Sequence, residues 1–394
     1  MAKRYVNFSR RDFLAAVGAG AAVSALSASA PARSLGREML VYVGTYTSGG
    51  AEGIYVLKLN LASGELTPWK TIKSVTEPSF LSIDGKDRYL YAVNETMEFN
   101  GKPGGALSAF SIDRKDGSLK FIDQVPSRGA APCNVIVSND GKFVLVANYM
   151  GGNVSVFPVR PDGGVGESVS QMQHTGTGPN KDRQESAHAH SVTLDAKNRF
   201  AIAADLGVDK VIVYKFDAAT GRLSPNSQYA TKPGAGPRHF TFSHSGKFAY
   251  LINELDCTIS ALSYDAERGV LAELQTVKTI PENYTGQNTC ADIHISPSGK
   301  FLYGSNRGHD SIVSFAIEEK TGKLTYIEHT ATGGKTPRNF AIDPTGKFLL
   351  AANQNSGSIT VFAIDTETGR LSAIGKKIDI PAPVCLKLVP NFTG

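Results

Sequence analysis

Arginine, histidine and glutamate side chains recur in this sequence at a spacing that could bring them together. Arg238 and Glu254 are sixteen residues apart, and His190 and Arg307 occupy the matching positions of neighbouring segments. Arginine binds carboxylates, phosphates and developing oxyanions, whereas histidine or glutamate can accept and donate a proton. We therefore predict that His190, Arg238, Glu254 and Arg307 form a catalytic centre that acts on a small anionic substrate.

Other polar residues of the same region are candidates for binding the substrate. They are Arg183, His188, His239, His309 and Arg338. His239 and His309 could equally be hydrogen-bonded side chains with a structural role. Asp205 stands where other copies of the segment carry asparagine, so we expect it to cap a turn.

A metal site is the alternative interpretation of two of these histidines. His188 and His190 are two residues apart, and side chains with that spacing on a strand point the same way. The surplus of arginine around them disfavours a bound cation. The sequence therefore predicts a site without a metal or another cofactor.

A β-hairpin that recurs six times must position these residues. In each copy a proline, alanine or cysteine precedes an alternating apolar run and stands sixteen residues before an Asn or Asp that ends the second run. The pairs are Pro78 with Asn94, Pro132 with Asn148, Ala189 with Asp205, Pro237 with Asn253, Cys290 with Asn306, and Pro337 with Asn353. Because hairpin strands are antiparallel, the residues directly after the two members of a pair should meet at one rim.

The rim residues form two sets. The first comprises Ser79, Cys133, His190, Arg238, Ala291 and Arg338. The second comprises Glu95, Tyr149, Leu206, Glu254, Arg307 and Gln354. The charged members concentrate in consecutive copies, and we place the site there.

A second repeated signature, x-Gly-x-Leu, follows each hairpin, as in Thr220-Gly-Arg-Leu223. Four short antiparallel strands every 47 to 57 residues predict an all-β fold, a seven-bladed β-propeller. The first unit lacks its inner strand, and Pro383 to Leu388 resembles such a strand, so the C-terminus should complete blade 1. The Gly/Pro/polar stretch 176–185 should form a loop over the rim.

The N-terminus resembles an export signal. Residues 1–32 contain the twin-arginine pattern Ser9-Arg-Arg-Asp-Phe-Leu14 and an Ala/Gly-rich apolar run too short to favour a permanent membrane span. We expect the twin-arginine export machinery as a partner, a periplasmic or secreted product, and one propeller domain over 33–394. Residues 1–32 carry a net charge of +3, so removing them lowers the formal charge from +5 to about +2. Neither charge nor motif favours nucleic-acid binding, and no membrane association is expected after cleavage.

The four cysteines match no zinc-binding pattern. Cys133, Cys257, Cys290 and Cys385 fall mostly near inner-strand starts, where buried thiols are expected. A disulfide between Cys257 and Cys290 is the alternative.

Several motifs resemble the propeller-type 6-phosphogluconolactonases, a family similar to the fungal carboxy-cis,cis-muconate-lactonising enzymes. The motifs are Tyr42-Val-Gly-Thr-Tyr46, Ala147-Asn-Tyr149, His188-Ala-His190, Gly236-Pro-Arg-His239, Asn253-Glu254 and Ser305-Asn-Arg-Gly-His309. The resemblance implies a metal-independent hydrolase of a sugar-acid lactone, either 6-phosphogluconolactone or an exported equivalent. For the muconate branch it implies a histidine, two arginines and a glutamate in the active site, which match His190, Arg238, Glu254 and Arg307.

Two other functions stay open, a muconate-type lactonising isomerase and a propeller that binds without chemistry. The general base is also open between Glu254 and His190. Neighbouring arginines should keep Glu254 ionised and His190 neutral at neutral pH.

Overall fold

Short antiparallel strands account for nearly all regular structure in the computed structural model, which describes residues 36–392. In this part of the chain they form seven four-stranded sheets, which confirms the predicted seven-bladed propeller. The predicted signal segment, residues 1–32, lies outside the described residues. No helix within residues 36–392 is long and apolar enough to cross a membrane.

Within residues 36–392, thirteen strands precede blade 4, and seventeen more run from blade 4 to the C-terminal strand, which belongs to blade 1. The first group is β1 (Glu38–Thr45), β2 (Gly53–Asn60), β3 (Leu66–Lys73), β4 (Phe80–Ile83), β5 (Tyr89–Asn94), β6 (Glu98–Phe99), β7 (Lys102–Pro103), β8 (Ala106–Ile112), β9 (Leu119–Pro126), β10 (Pro132–Val137), β11 (Phe143–Asn148), β12 (Asn153–Pro158) and β13 (Ser170–Gln173).

The second group is β14 (Ala189–Leu194), β15 (Phe200–Asp205), β16 (Lys210–Phe216), β17 (Leu223–Ala230), β18 (Pro237–Phe242), β19 (Phe248–Asn253), β20 (Thr258–Asp265), β21 (Val270–Lys278), β22 (Thr289–Ile295), β23 (Phe301–Arg307), β24 (Ser311–Ile317), β25 (Leu324–Ala331), β26 (Pro337–Ile342), β27 (Phe348–Asn353), β28 (Ser358–Ile364), β29 (Leu371–Asp379) and β30 (Pro383–Pro390). Blade 2 combines β4, β5, β8 and β9, and blades 3 to 7 take four consecutive strands each. The short strands β6 and β7 form a hairpin beside blade 2, and a 3-10 turn spans Thr47–Gly49.

The ring closes in blade 1, whose strand order is β3-β2-β1-β30. The C-terminal strand β30 pairs with β1 from Met39 opposite Pro390 to Gly44 opposite Cys385. This confirms that the first unit lacks its own inner strand and that the end of the chain supplies it.

Apolar layers between neighbouring blades hold the ring together. Leu145 of blade 3 and Val192 of blade 4 share one such layer. Val41 of blade 1 and Leu350 of blade 7 share another, so the closing seam is packed like the others. The repeated glycine turn fits against this packing. Gly221 has a φ of 73°, and a Cβ there would lie 2.4 Å from the Phe143 ring of the preceding blade, which explains the glycine in x-Gly-x-Leu.

The predicted hairpin pairing is present in five of the six copies within residues 36–392. Pro132, Ala189, Pro237, Cys290 and Pro337 each lie opposite the Asn or Asp sixteen residues later. The exception is blade 2, where β4 begins only at Phe80, beyond Pro78.

The repeated Asn and Asp residues hydrogen-bond to backbone groups of nearby loops and turns. Asn148 and Asn306 donate their side-chain amides to backbone carbonyls. Asp205 accepts hydrogen bonds from the backbone N–H groups of His188 and Gly207 at 2.8 and 2.9 Å. The structural role expected for Asp205 is therefore confirmed.

Candidate active site

Eight of the twelve rim residues of the hairpins line one cavity of about 300 Å³, within the range of small-molecule sites. Its lining comprises Glu95, Cys133, Tyr149, Arg183, His190, Arg238, Glu254, Thr289, Arg307 and Arg338. All of these except Arg183 and Thr289 belong to the two rim sets. The four residues predicted to be catalytic therefore share one small space.

β-Bulges explain why the first rim set faces the cavity. In four hairpins the strand register shifts directly after the paired Pro or Ala, so that the next residue is the extra one in its strand. A bulge of this kind redirects a side chain. The residues placed in this way are Cys133, His190, Arg238 and Arg338, and all four line the cavity.

Glu254 is the electrostatic centre of the lining and is 2% exposed. Its Oε1 accepts a hydrogen bond from Arg183 at 2.6 Å, its Oε2 accepts one from Arg238, and Oε2 also forms an ion pair with Arg307 Nη2 at 2.8 Å. Burial by itself raises the pKa of Glu254, but the charges of Arg307 and Arg238 outweigh it and hold that pKa well below its usual range. This confirms that Glu254 is ionised at neutral pH.

His190 is neutral in the same cavity. Burial, reinforced by the charge of Arg238, lowers the pKa of His190 well below its usual range, as predicted. Its Nε2 lies 2.6 Å from Arg238 Nη1. Because a guanidinium can only donate, Nε2 must accept, and the ring proton of His190 is on Nδ1.

The loop over the rim supplies Arg183. This residue lies between β13 and β14, in the insertion predicted to cover the rim, and it also donates to the Tyr149 hydroxyl at 3.3 Å. Neighbouring Gln184 is fully buried and donates to the Leu206 carbonyl, which fixes the loop. The insertion is therefore part of the cavity wall.

A second carboxyl group faces the cavity from blade 2. Glu95 Oε2 accepts a hydrogen bond from the Tyr46 hydroxyl at 2.9 Å. Burial in the channel raises the pKa of Glu95, although the nearby charge of Arg338 opposes that rise. The guanidinium of Arg338 lies 5.4 Å from the centre of the Tyr46 ring.

Below this cavity is a smaller one of about 10 Å³, into which His239 faces. His239 Nδ1 is 2.8 Å from Asp292 Oδ1, and the other oxygen of Asp292 is 2.8 Å from His294 Nε2. Burial lowers the pKa of His239 to about 4. His239 is thus placed beneath the main cavity and not in its lining.

Besides His239, two other predicted substrate contacts lie outside the lining of the main cavity. His188 stacks on Tyr149 with ring centres 4.5 Å apart, and its Nε2 pairs with Glu185 at 2.9 Å. His309 hydrogen-bonds Ser311 through Nδ1 and packs edge-on against Tyr284. These contacts match the structural interpretation that was open for His309.

The bulge also removes the geometric basis for a metal ligated by both His188 and His190. The strand register shifts between Ala189 and Ser191, so the regular alternation of side chains is broken at His190. Within residues 36–392, no group of three or more His, Cys, Asp or Glu side chains could hold a metal ion. All four cysteines lie in this range and are buried free thiols, so Cys257 and Cys290 are not disulfide-bonded.

Sequence reasoning left several lining residues out of the predicted site. Glu95, Tyr149 and Cys133 were in the rim sets, and their repeat positions were the signal that could have selected them. They were passed over because the charged residues cluster in blades 4 to 7. Thr289 of the lining, and Tyr46, which contacts the lining residue Glu95, carry no such signal.

Comparison with known proteins agrees with this architecture. A family model described as lactonase, 7-bladed beta-propeller, matches residues 40–388. A 6-phosphogluconolactonase of Bacillus subtilis (strain 168) is 38% identical over 290 residues, which are 74% of this chain and 81% of that relative. One from Formosa agariphila is 36% identical over 297 residues, covering 73% of this chain and 82% of the relative.

A solved structure extends the likeness to nearly the whole ring. The periplasmic gluconolactonase of Pseudomonas aeruginosa matches with a TM-score of 0.84 and 34% identity, covering 89% of this chain and 99% of that protein. The fold, the family model and the relatives agree, and the chain belongs to the seven-bladed β-propeller lactonase family.

Proposed function

We propose that this protein is a metal-independent lactonase that opens the ring of a sugar-acid lactone carrying a negative group. The substrate would be 6-phosphogluconolactone or an exported equivalent. The proposal is supported by the family, by the size of the cavity and by the charges of its lining. Four arginines face two glutamates there, so the lining favours an anion.

One observation supports the proposal that the substrate carries a negative group. The Arg338 guanidinium forms no hydrogen bond and no ion pair with another residue of the range 36–392, whereas Arg183, Arg238 and Arg307 all bind Glu254. Arg338 therefore has donors available for a ligand. A planar guanidinium can bind two oxygens of a phosphate or carboxylate side by side.

The other arginines fit the charge that develops during ester hydrolysis. When water attacks the ring carbonyl, negative charge appears on the carbonyl oxygen, and fixed donors stabilise it without having to reorganise. Arg238 is 3% exposed, and Glu254 and the Ala291 carbonyl fix its position. Its geometry is therefore set before the substrate arrives.

The expected cellular location follows from residues 1–32, whose sequence resembles a twin-arginine signal. Export would place the enzyme where sugar-acid lactones other than a cytoplasmic metabolite are available. Secretion of the full-length chain, and its loss when Arg10 and Arg11 are both replaced by lysine, would test that assignment.

A panel of lactones tests the activity. We expect hydrolysis that withstands a chelator, with a higher kcat/KM for lactones bearing a phosphate or carboxylate than for neutral ones. Arg338→Met should lower kcat/KM for the charged lactones by about 10- to 100-fold, because one charge-assisted contact contributes about 1.5–3 kcal/mol. Neutral lactones should lose less.

The matched control is Arg268→Met, since the Arg268 side chain is 75% exposed. Equal losses on charged and neutral lactones would show that Arg338 does not bind the charged substituent. If the panel is bound but never hydrolysed, the protein is a binding module and the lactonase proposal is wrong.

A further inference from the structure

Arginine side chains contact both candidates for the general base, Glu254 and His190. Three arginines contact the Glu254 carboxylate. Arg183, at 2.6 Å, and Arg238 donate hydrogen bonds to it, and Arg307 forms an ion pair with it at 2.8 Å. A carboxylate stabilised in this way is a weak base, because protonation would sacrifice those bonds. Glu254 is thus better suited to hold the arginines in place.

His190 has the same limitation at a different atom. Its only unprotonated nitrogen, Nε2, accepts a hydrogen bond from Arg238 at 2.6 Å. Water could take a proton to that nitrogen only after Arg238 moved away. His190 therefore offers no free lone pair to water in this arrangement, and the cations around Glu254 make its carboxylate a weak base.

Glu95 is the remaining carboxyl group in the lining. It stands in blade 2, three blades away from Glu254 in blade 5, and therefore on the other side of the channel. The neighbouring Ser79 hydroxyl acts to lower the pKa of Glu95, and Glu95 Oε2 accepts a hydrogen bond from the Tyr46 hydroxyl. That contact orients the carboxyl group and leaves lone pairs on it for a ligand.

The small cavity of about 10 Å³ has space for a water molecule beside the Glu95 carboxyl group. Glu95 borders both the 300 Å³ cavity and the 10 Å³ cavity beneath it. The lower space is about the size of one water molecule. Ser79 Oγ and His239 Nε2 are buried polar atoms of residues lining that space, and neither has a hydrogen-bond partner within residues 36–392.

We propose that Glu95, oriented by Tyr46, is the general base that activates the hydrolytic water, an inference that rests on the proposed lactonase function. The Glu95 carboxylate removes one proton from water while the water oxygen bonds to the lactone carbonyl carbon. The carbonyl π electrons move to oxygen, where arginine stabilises them. When the C=O bond re-forms, the ring C–O bond breaks, and Glu95 returns its proton to the departing ring oxygen.

The products are a free hydroxyl group and a carboxylic acid, which releases its proton to solvent, and Glu95 is regenerated as a carboxylate. No oxidant, reductant or metal enters this sequence. The same residue serves first as base and then as acid, as the two halves of an ester hydrolysis require.

The charged and titratable groups facing Glu95 set its titration. They are Tyr46, Cys133, His190, Arg238, His239, Arg338 and, across the channel, Glu254. Burial raises the pKa of Glu95 and Arg338 opposes this. A carboxyl group with a raised pKa is a stronger base than an ordinary glutamate but is still ionised on the alkaline side of its pKa.

The test is the pH profile of kcat/KM for lactone hydrolysis by the full chain. Wild-type activity should fall on the acid side with an apparent pKa above that of an ordinary glutamate. Glu95→Gln should lower kcat by about 10²–10⁴-fold and abolish that acid limb. Glu95→Asp should keep the limb with part of the rate.

Tyr46→Phe provides a second, independent readout. The Tyr46 hydroxyl donates to the ionised carboxylate and favours it, so its removal should raise the pKa of Glu95 and move the acid limb to higher pH. The matched control is Glu367→Gln, which removes an exposed carboxylate in the turn between β28 and β29, away from the cavity lining. That variant should keep the wild-type profile.

The outcomes separate this inference from the proposed function. Hydrolysis by wild type, with an unchanged rate and acid limb in Glu95→Gln, overturns the role of Glu95 alone. An increase in KM with kcat unchanged also overturns it. If Glu95→Gln does not fold, as judged by circular dichroism, the profiles of Glu95→Asp and Tyr46→Phe decide. A wild-type protein that hydrolyses no lactone of the panel refutes the proposed function itself.

Discussion

Replacing Glu254 by glutamine should destabilise the whole propeller, because the carboxylate joins three arginines from separate parts of the chain. Arg183 comes from the rim loop, Arg238 from β18 and Arg307 from β23. Glutamine has nearly the same shape but no charge, and its amide N–H would face guanidinium donors. The three cations would then repel one another in a site that is 2% exposed at its centre.

The magnitude follows from the burial of this cluster. Removing one partner of a buried ion pair typically costs about 3–5 kcal/mol. A chain of this size has an unfolding entropy of about 0.75 kcal/mol/K, so Tm should fall by about 4–7 °C. Differential scanning calorimetry at pH 7 measures the shift. Glu367→Gln, at an exposed turn position, is the control and should stay within about 0.5 kcal/mol of wild type.

The pH dependence gives a further check on the same variant. The pKa of Glu254 is depressed in the folded state, so its contribution to stability is complete above its unfolded pKa of about 4.3. That contribution is lost as the pH falls through the folded pKa. The difference in Tm between wild type and Glu254→Gln should therefore be largest near neutrality and shrink in acid. A change in Tm below 1 °C at pH 7 would refute the view that Glu254 holds the three arginines together.

Two further predictions concern the ring and its lower cavity. A chain ending at Asp379 lacks β30, so the edge of β1 is exposed and the core loses Leu386 and Val389. We therefore expect aggregation, measured by size-exclusion chromatography. A stable monomer with wild-type Tm would show that ring closure does not depend on β30. The pKa of His239 is lowered to about 4, so its contribution to stability should be complete above its unfolded pKa of about 6.5 and be lost progressively as the pH falls towards 4. His239→Asn should flatten the fall of Tm over this range, and an unchanged slope would contradict the buried neutral state of His239.

The sequence by itself determined the repeat and the residues that share a rim. Alternating apolar residues select strands, and the sixteen-residue offset fixes which ends of a hairpin meet, because both follow from local backbone geometry. Those rules brought His190, Arg238, Glu254 and Arg307 to one cavity. They also assigned the C-terminal strand to blade 1, since the first unit lacked its inner strand.

Only the tertiary structure decided which rim residues interact and which remain available to a ligand. At His190, Arg238 and Arg338 a β-bulge inserts one extra residue into the strand and changes the direction of its side chain. The alternation of apolar and polar residues in the sequence does not reveal such a bulge. Contacts across the channel depend on how the ring closes, and residues of distant blades have no fixed offset in sequence. For this reason, only the three-dimensional structure shows that three arginines contact Glu254 and that Glu95 lies across the channel from it.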